Sequence, residues 1–222
     1  MKIFPLGENA LTIDFGNEIS LELNKRVLRL AASLARNNFT GFTELVPAYS
    51  SLTIFYDVVA VRKNFPAFKT AFDAVKAFSE NALENAGEIE FDAPRLVEIP
   101  VCFAENFALD LEFVAAENNL TRAEVVRIFL APTYRVFMLG FLPGFAYLGE
   151  TDERIATPRK SAPRLKVPRG SVGIAGRQTG IYPFESPGGW QIIGHTGIEL
   201  FTPRAENPTV LQPGDLVKFY SV

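Results

Sequence analysis

Cysteine and histidine are nearly absent from this sequence: Cys102 and His195 are the only ones in 222 residues. A lone cysteine rules out an internal disulfide framework and fits a reducing compartment. With so few soft ligands, a metal would depend on carboxylates that show no ligand spacing, so no metal site is expected. Long apolar runs are missing as well. The longest, Val136–Leu148, is broken by Gly140, Pro143 and Gly144 and is too short for a membrane span of roughly 20 residues. The opening MKIFPLGENALTIDFG has no apolar run ending in small residues, so it does not read as a signal peptide, and the protein reads as cytoplasmic. Excess positive charge is lacking: 22 Lys and Arg against 25 Asp and Glu leave a formal net charge of -3, which disfavours general attraction to nucleic acid or to anionic membrane. Neither GxxxxGKS/T nor GxGxxG occurs.

What the chain does have is enough apolar material, 48% of its residues, to build a core for one large domain or two small ones. Ile3–Leu6 and Leu11–Phe15 flank the turn-forming Gly7-Glu8-Asn9 and predict a hairpin. Ser20 is placed to cap a helix in which Leu23, Val27, Leu30, Ala31 and Leu34 recur at helical spacing, ending near Asn37-Asn38. Strands Phe42–Val46 and Ser51–Tyr56 follow. A long amphipathic helix is then expected with Phe68, Phe72, Val75, Phe78 and Leu83 on one side and Gly87 as its C-cap. The aromatic stripe reads as core rather than as a partner groove. This order gives an α+β unit over residues 1–90, with two helices on an antiparallel sheet and no chemistry of its own.

Glu88–Pro94 reads as a hinge. Beyond it come a strand, Arg95–Phe103, and two short scaffold helices, about Leu109–Asn118 and one opened by the capping-box pattern Thr121-Arg122-Ala123-Glu124. From Tyr134 helical periodicity disappears. Short strand candidates, Tyr134–Leu139, Ser171–Ala175, Trp190–Gly194, Glu199–Phe201 and Leu216–Tyr220, alternate with Gly/Pro turns, the pattern of a barrel or sandwich over residues 91–222.

Residues 139–201 hold eleven of the sixteen glycines, the only Trp (Trp190) and the only His. Between Arg154 and Phe184 there are seven Lys or Arg and no Asp or Glu. Arg159, Arg164 and Arg169 recur every five residues beside prolines, which places them on a stiff extended loop able to hold a carboxylate or phosphoryl group; a solvated basic loop facing another subunit is the alternative. Ser186-Pro187-Gly188-Gly189-Trp190 can form a nest of backbone N–H groups, or simply a tight turn entering a strand. Gln178 and Tyr182 precede it and can orient a ligand by hydrogen bonds. Gly140–Gly149 is either a ligand-facing loop or a barrel corner. No Ser/His/Asp set can be drawn, so the catalytic residues are unassigned and His195 is the one candidate.

In order and spacing, GFLPGFAYLG, TPRKSAPRLKVPRGSVGIAG, TGIYPFESPGGW, IIGHT and PGDLVKF closely resemble the KipI family, the family of allophanate hydrolase subunit 1 and of the B-type subunit of 5-oxoprolinase. The resemblance implies an α+β N-terminal domain followed by a cyclophilin-like, carboxyltransferase-type β-barrel. It further implies work beside a KipA protein, the C-type subunit of 5-oxoprolinase, and a LamB/YcsF protein, its A-type subunit, with ATP as co-substrate of the assembly that opens 5-oxoproline to glutamate. Family alternatives are a regulatory module inhibiting a sensor histidine kinase and a component of an allophanate or urea-type amide hydrolase. Within that pattern, Phe129-Leu130 stands where members carry His-Thr or His-Ser, Ala108-Leu109-Asp110-Leu111 where Gly-Pro-Asp-Leu is usual, and His195 where Arg is frequent.

Overall fold

A computed structural model of the chain describes residues 1–85 and 93–222. The chain divides into two compact units, Met1–Asp92 and Ala93–Val222.

In the first unit, β1 (Lys2–Pro5) and β2 (Ala10–Asp14) form the expected hairpin, with Lys2 opposite Asp14 and Pro5 opposite Leu11. With β3 (Phe42–Pro47) and β4 (Ser51–Tyr56) they make an antiparallel sheet in the order β1-β2-β4-β3. Leu52, Ile54 and Tyr56 alternate with less buried neighbours along β4, the two-residue period that sends one face into the core. Helix α1 (Leu21–Arg36) packs Val27, Leu30 and Leu34 into that core, and the Ser20 hydroxyl accepts from the Leu23 N–H at 3.4 Å.

The single long helix expected after β4 is two helices, α2 (Val58–Asn64), capped by Asp57, and α3 (Ala71–Asn85). Pro66 explains the break, because the residue before a proline is driven out of helical geometry. Thr70 and Asp73 then restart the helix by reciprocal bonds: the Asp73 N–H donates to Thr70 Oγ1 at 3.0 Å, and the Thr70 N–H donates to Asp73 Oδ2 at 3.1 Å. Phe68 therefore lies in the connection, yet Phe68, Phe72, Phe78 and Leu83 all pack against the core. Gly87 and most of the Glu88–Pro94 hinge lie outside the described residues.

The second unit is built on a seven-stranded sheet of β5 (Leu96–Val101), β6 (Tyr134–Leu139), β7 (Ala146–Gly149), β9 (Ser171–Ala175), β10 (Gln178–Ile181), β12 (Gln191–His195) and β13 (Leu216–Ser221). Their order across the sheet is β12-β9-β10-β7-β6-β13-β5. All neighbours are antiparallel except β5 and β13, which run parallel from Leu96–Leu216 to Val101–Ser221. The two edges touch at one bridge: the Cys102 N–H donates to His195 O at 2.8 Å and the His195 N–H to Cys102 O at 3.0 Å, which makes the sheet a nearly closed barrel. A Cβ at Gly194 would lie 2.6 Å from Val101 Cγ1, so the seam needs glycine there.

Helices α4 (Leu111–Glu117) and α5 (Arg122–Leu130) cover the barrel core with Leu111, Val114, Val125, Ile128 and Phe129. The Thr121/Glu124 capping box is present. Phe129 stacks on Phe219 at 5.0 Å, and Tyr134 Oη donates to Phe129 O at 2.7 Å. The stretch Glu199–Phe201, expected as a strand, is not one; Phe201 makes only an isolated bridge to Thr209, and Pro203 and Pro208 between them interrupt any longer ladder. Outside the barrel, β8 (Arg164–Val167) and β11 (Ser186–Gly188) form a two-stranded ribbon, with Gly188 opposite Arg164. Among the described residues, no helix is long and apolar enough to cross a membrane, and no group of three or more His, Cys, Asp or Glu could hold a metal ion.

Candidate functional site

Folding neutralises most of the basic stretch. Arg154 pairs with Asp152 at 2.7 Å, Arg177 with Glu153 at 3.0 Å and also with Glu150, Lys166 with Glu185 at 3.2 Å and Arg169 with Glu199 at 3.5 Å. Lys160 and Arg164 share Asp110 at 3.2 and 2.7 Å. Arg159 is the seventh, and among the described residues it has no carboxylate partner. Its guanidinium lies over the Trp190 ring, 5.7 Å from the centroid.

Arg159 stands at the edge of a cleft of about 240 Å³ lined by Phe141, Phe145, Tyr147, Tyr182 and Trp190, together with Pro163, Pro187, Gly188 and Gly189. Each wall has a structural cause. Phe141 and Phe145 come from the β6–β7 turn, closed by bonds from the Phe145 N–H to Leu142 O at 3.0 Å and from the Gly140 N–H to Phe145 O at 3.1 Å. Gly144 in that turn has φ +80, and a Cβ there would lie 2.8 Å from Phe201 Cβ. Phe141 is held at φ +68 while 59% exposed, an uncommon backbone state for a bulky residue, and it forms the lip of the cleft.

Deeper in, Phe145 meets Tyr182 and Trp190 edge to face at 5.3 and 5.5 Å, and Tyr147 lies 5.8 Å from Trp190. Burial pushes the Tyr182 hydroxyl pKa up; the backbone N–H of Trp190 and the charges of Arg159 and Arg164 oppose this without cancelling it, so Tyr182 is a neutral phenol. Three features coincide here: an apolar aromatic box, a phenol inside it and one uncompensated cation at its mouth.

The residues picked out in the sequence separate in space. Arg159, Tyr182, Gly188 and Gly189 line the cleft. Arg164 has its guanidinium committed to Asp110, and Arg169 faces Glu199. Gln178 lies on β10 opposite Gly149 and does not line the cleft. Ser186 is buried opposite Val167 in the ribbon, its hydroxyl on Pro187 O at 3.2 Å. Of the stretch Ser186–Trp190, Ser186–Gly188 forms strand β11 of the ribbon, in which Pro187 has no N–H to offer. His195 lies outside the cleft: its ring stacks on Phe107 at 4.7 Å, and Nε2 is 3.0 Å from Arg169 O. Phe129 is wholly buried in the barrel core, not beside the cleft.

Asp110 is the residue that sequence reasoning passed over. It is 3% exposed and accepts four bonds: two from Arg164 at 2.7 Å, one from Lys160 Nζ at 3.2 Å and one from the Ile192 N–H at 2.7 Å. Burial, the largest single influence, pushes its pKa up, but the Arg164, Ile192 and Lys160 bonds together outweigh it and hold the carboxyl below its ordinary value. The only signal in the sequence was an acid retained within Ala108-Leu109-Asp110-Leu111, about fifty residues from its cationic partners.

The second unit is thus a nearly closed β-barrel whose adjoining ribbon lines an aromatic cleft with Arg159 at its edge, an architecture shared by carboxyltransferase-type domains. Residues 1–211 match the family described as carboxyltransferase domain, subdomain C and D, and the chain belongs to that family. It is 47% identical over 222 residues to the B-type subunit of the Bacillus subtilis 5-oxoprolinase, covering 100% of this chain and 92% of that protein. The corresponding protein of Escherichia coli O157:H7 is 38% identical over 218 residues, covering 98% and 94%. The K. lactis urea amidolyase structure superposes with a TM-score of 0.79 over 99% of this chain and 15% of that one; at 23% identity this likeness concerns the fold.

Proposed function

We propose that this chain is the B-type subunit of a multi-subunit, ATP-dependent 5-oxoprolinase, with residues 91–222 as the domain that bears the ligand. The observation that carries the reading is Arg159, without a carboxylate partner among the described residues, at the mouth of the aromatic cleft. The near full-length likeness to two 5-oxoprolinase subunits of the same type supports it. A five-membered lactam carrying one carboxylate suits that surface, with its apolar ring toward the aromatic wall and its carboxylate toward the Arg159 guanidinium. The volume, about 240 Å³, is below the roughly 300–1,000 Å³ of sites for drug-sized ligands and suits a small ring.

In the assembly, 5-oxoproline, ATP and two waters give glutamate, ADP and phosphate, the lactam C–N bond breaking as water adds to its carbonyl. ATP enters as co-substrate, and the expected partners are a KipA-like C-type subunit and a LamB/YcsF-like A-type subunit. The test is co-expression of the three proteins and measurement of ATP-dependent glutamate release. Arg159→Ala is expected to raise KM for 5-oxoproline about tenfold or more, the worth of one hydrogen bond to a charged group. No release from a stably assembled complex, or an unchanged KM in the variant, overturns the reading.

A further inference from the structure

We propose that Asp110 is a positioning residue that clamps the loop carrying Arg159 to β12, which Trp190 immediately precedes, and so sets the width of the cleft. The inference rests on the reading of that cleft as the ligand site. Both walls converge on this one carboxylate. On the loop side it takes Lys160 Nζ and both terminal nitrogens of Arg164. On the strand side it takes the Ile192 N–H, while its own N–H donates to Ile192 O at 2.7 Å.

Arg159 lies between two further ties to the segment that leads into β12 and to its first residue. The Lys160 N–H donates to Gly189 O at 2.7 Å, and Gln191 Nε2 donates to Pro158 O at 2.9 Å. An exposed arginine, whose long side chain is otherwise free to turn, is thereby held on a loop that can neither lift from Trp190 nor slide along it.

Two observations separate this role from ordinary ones. Asp110 occupies the N-cap position of α4, where aspartate normally accepts from the first helical N–H groups, but it makes no such bond and turns to the loop and β12 instead. Its four accepted bonds use the capacity of an ionised carboxylate, so it has nothing left for a ligand and acts only through Arg159 and Trp190. Buried ion pairs contribute little net stability compared with apolar replacements of the same shape, and fixing one arrangement is what such a group can add.

Trp190 is the only tryptophan in the chain, which makes the clamp directly visible. In the isolated full chain, Asp110→Asn is expected to shift Trp190 emission to the red and raise its quenching by acrylamide. Lys160→Gln, which leaves the Arg164 bonds intact and folds more safely, should do the same to a lesser degree. Lys166→Gln, in the exposed pair with Glu185, is expected to change neither. In the reconstituted assembly, Asp110→Asn is expected to raise KM for 5-oxoproline about fivefold at similar kcat, and to add less than about twofold when Arg159 is already alanine. Unchanged Trp190 signals in both clamp variants, or an equal KM effect in both backgrounds, overturn the inference. A clamp seen by fluorescence alongside an Arg159→Ala variant of unchanged KM instead overturns the assignment of the ligand site and leaves the clamp standing.

Discussion

Gly188 and Gly189 are adjacent, both line the cleft, and the structure assigns them opposite tolerances. A Cβ built on Gly188 would lie 2.4 Å from Tyr182 Oη, 2.8 Å from Cζ and 2.9 Å from Cε1. Tyr182 is only 1% exposed and wedged against Phe145, so its ring has nowhere to retreat. Overpacking of a rigid site costs about 1–3 kcal/mol, and the hydroxyl oxygen and two ring carbons inside contact distance put Gly188→Ala at about 2–3 kcal/mol. For a chain of this size that lowers Tm by about 4–12 °C. The same methyl at Gly189 meets nothing closer than Pro163 Cγ at 3.6 Å, so Gly189→Ala should stay within about 0.5 kcal/mol.

Thermal unfolding followed by Trp190 fluorescence reads the second unit specifically. Because Gly188 pairs with Arg164 across the ribbon, the displaced strand should also loosen the Arg164–Asp110 bonds and shift Trp190 emission before unfolding. Adding Tyr182→Phe removes the shortest contact but leaves the two ring carbons, so only part of the loss should return. Equal stability of the two alanine variants would refute the steric reasoning, since it would mean that the ribbon moves freely away from Tyr182.

Acid should open the clamp. The native Asp110 carboxyl is held below its ordinary value of 3.8, so the folded state binds fewer protons there than the unfolded chain. Its stabilisation is fully present above 3.8 and is lost as pH falls through the lower native value. Lys160 and Arg164 then lose the carboxylate they share. Asp152, drawn down to about 2 chiefly by its Arg154 bond, titrates in the same range, so the measurement is the difference between native chain and Asp110→Asn in an acid titration of Trp190 emission. Parallel acid limbs would contradict it. Phe145→Ala removes the ring against which Tyr182, Tyr147 and Trp190 all rest and should cost about 3–5 kcal/mol, read by urea unfolding. A loss below about 1 kcal/mol would show that the aromatic box collapses around the gap.

The residues themselves determined whatever depends on near neighbours in the chain. Ser20 and the Thr121/Glu124 pair mark helix starts because a cap bonds an N–H only two or three residues away. The alternation in β4 and the three- and four-residue steps in α1 identify buried faces because a regular element repeats its own geometry. The concentration of glycine, aromatic residues and arginine over 139–201 located the site in general terms, and its long motifs carried the family resemblance.

Only the tertiary structure decided which arginine remains available. Arg159, Arg164 and Arg169 are equivalent as a five-residue spacing, and they become different only when Asp110, 54 residues before Arg164, and Glu199, beyond the basic stretch, come to meet two of them. Ser186 and Gly188 joined a ribbon because they found Val167 and Arg164 as partners. The barrel closed because Cys102 met His195, which gave the lone histidine a place in the seam. Strand pairing acts only at hydrogen-bond distance and charge pairing within roughly 10 Å, so both follow the chain's path in space, which local composition does not encode.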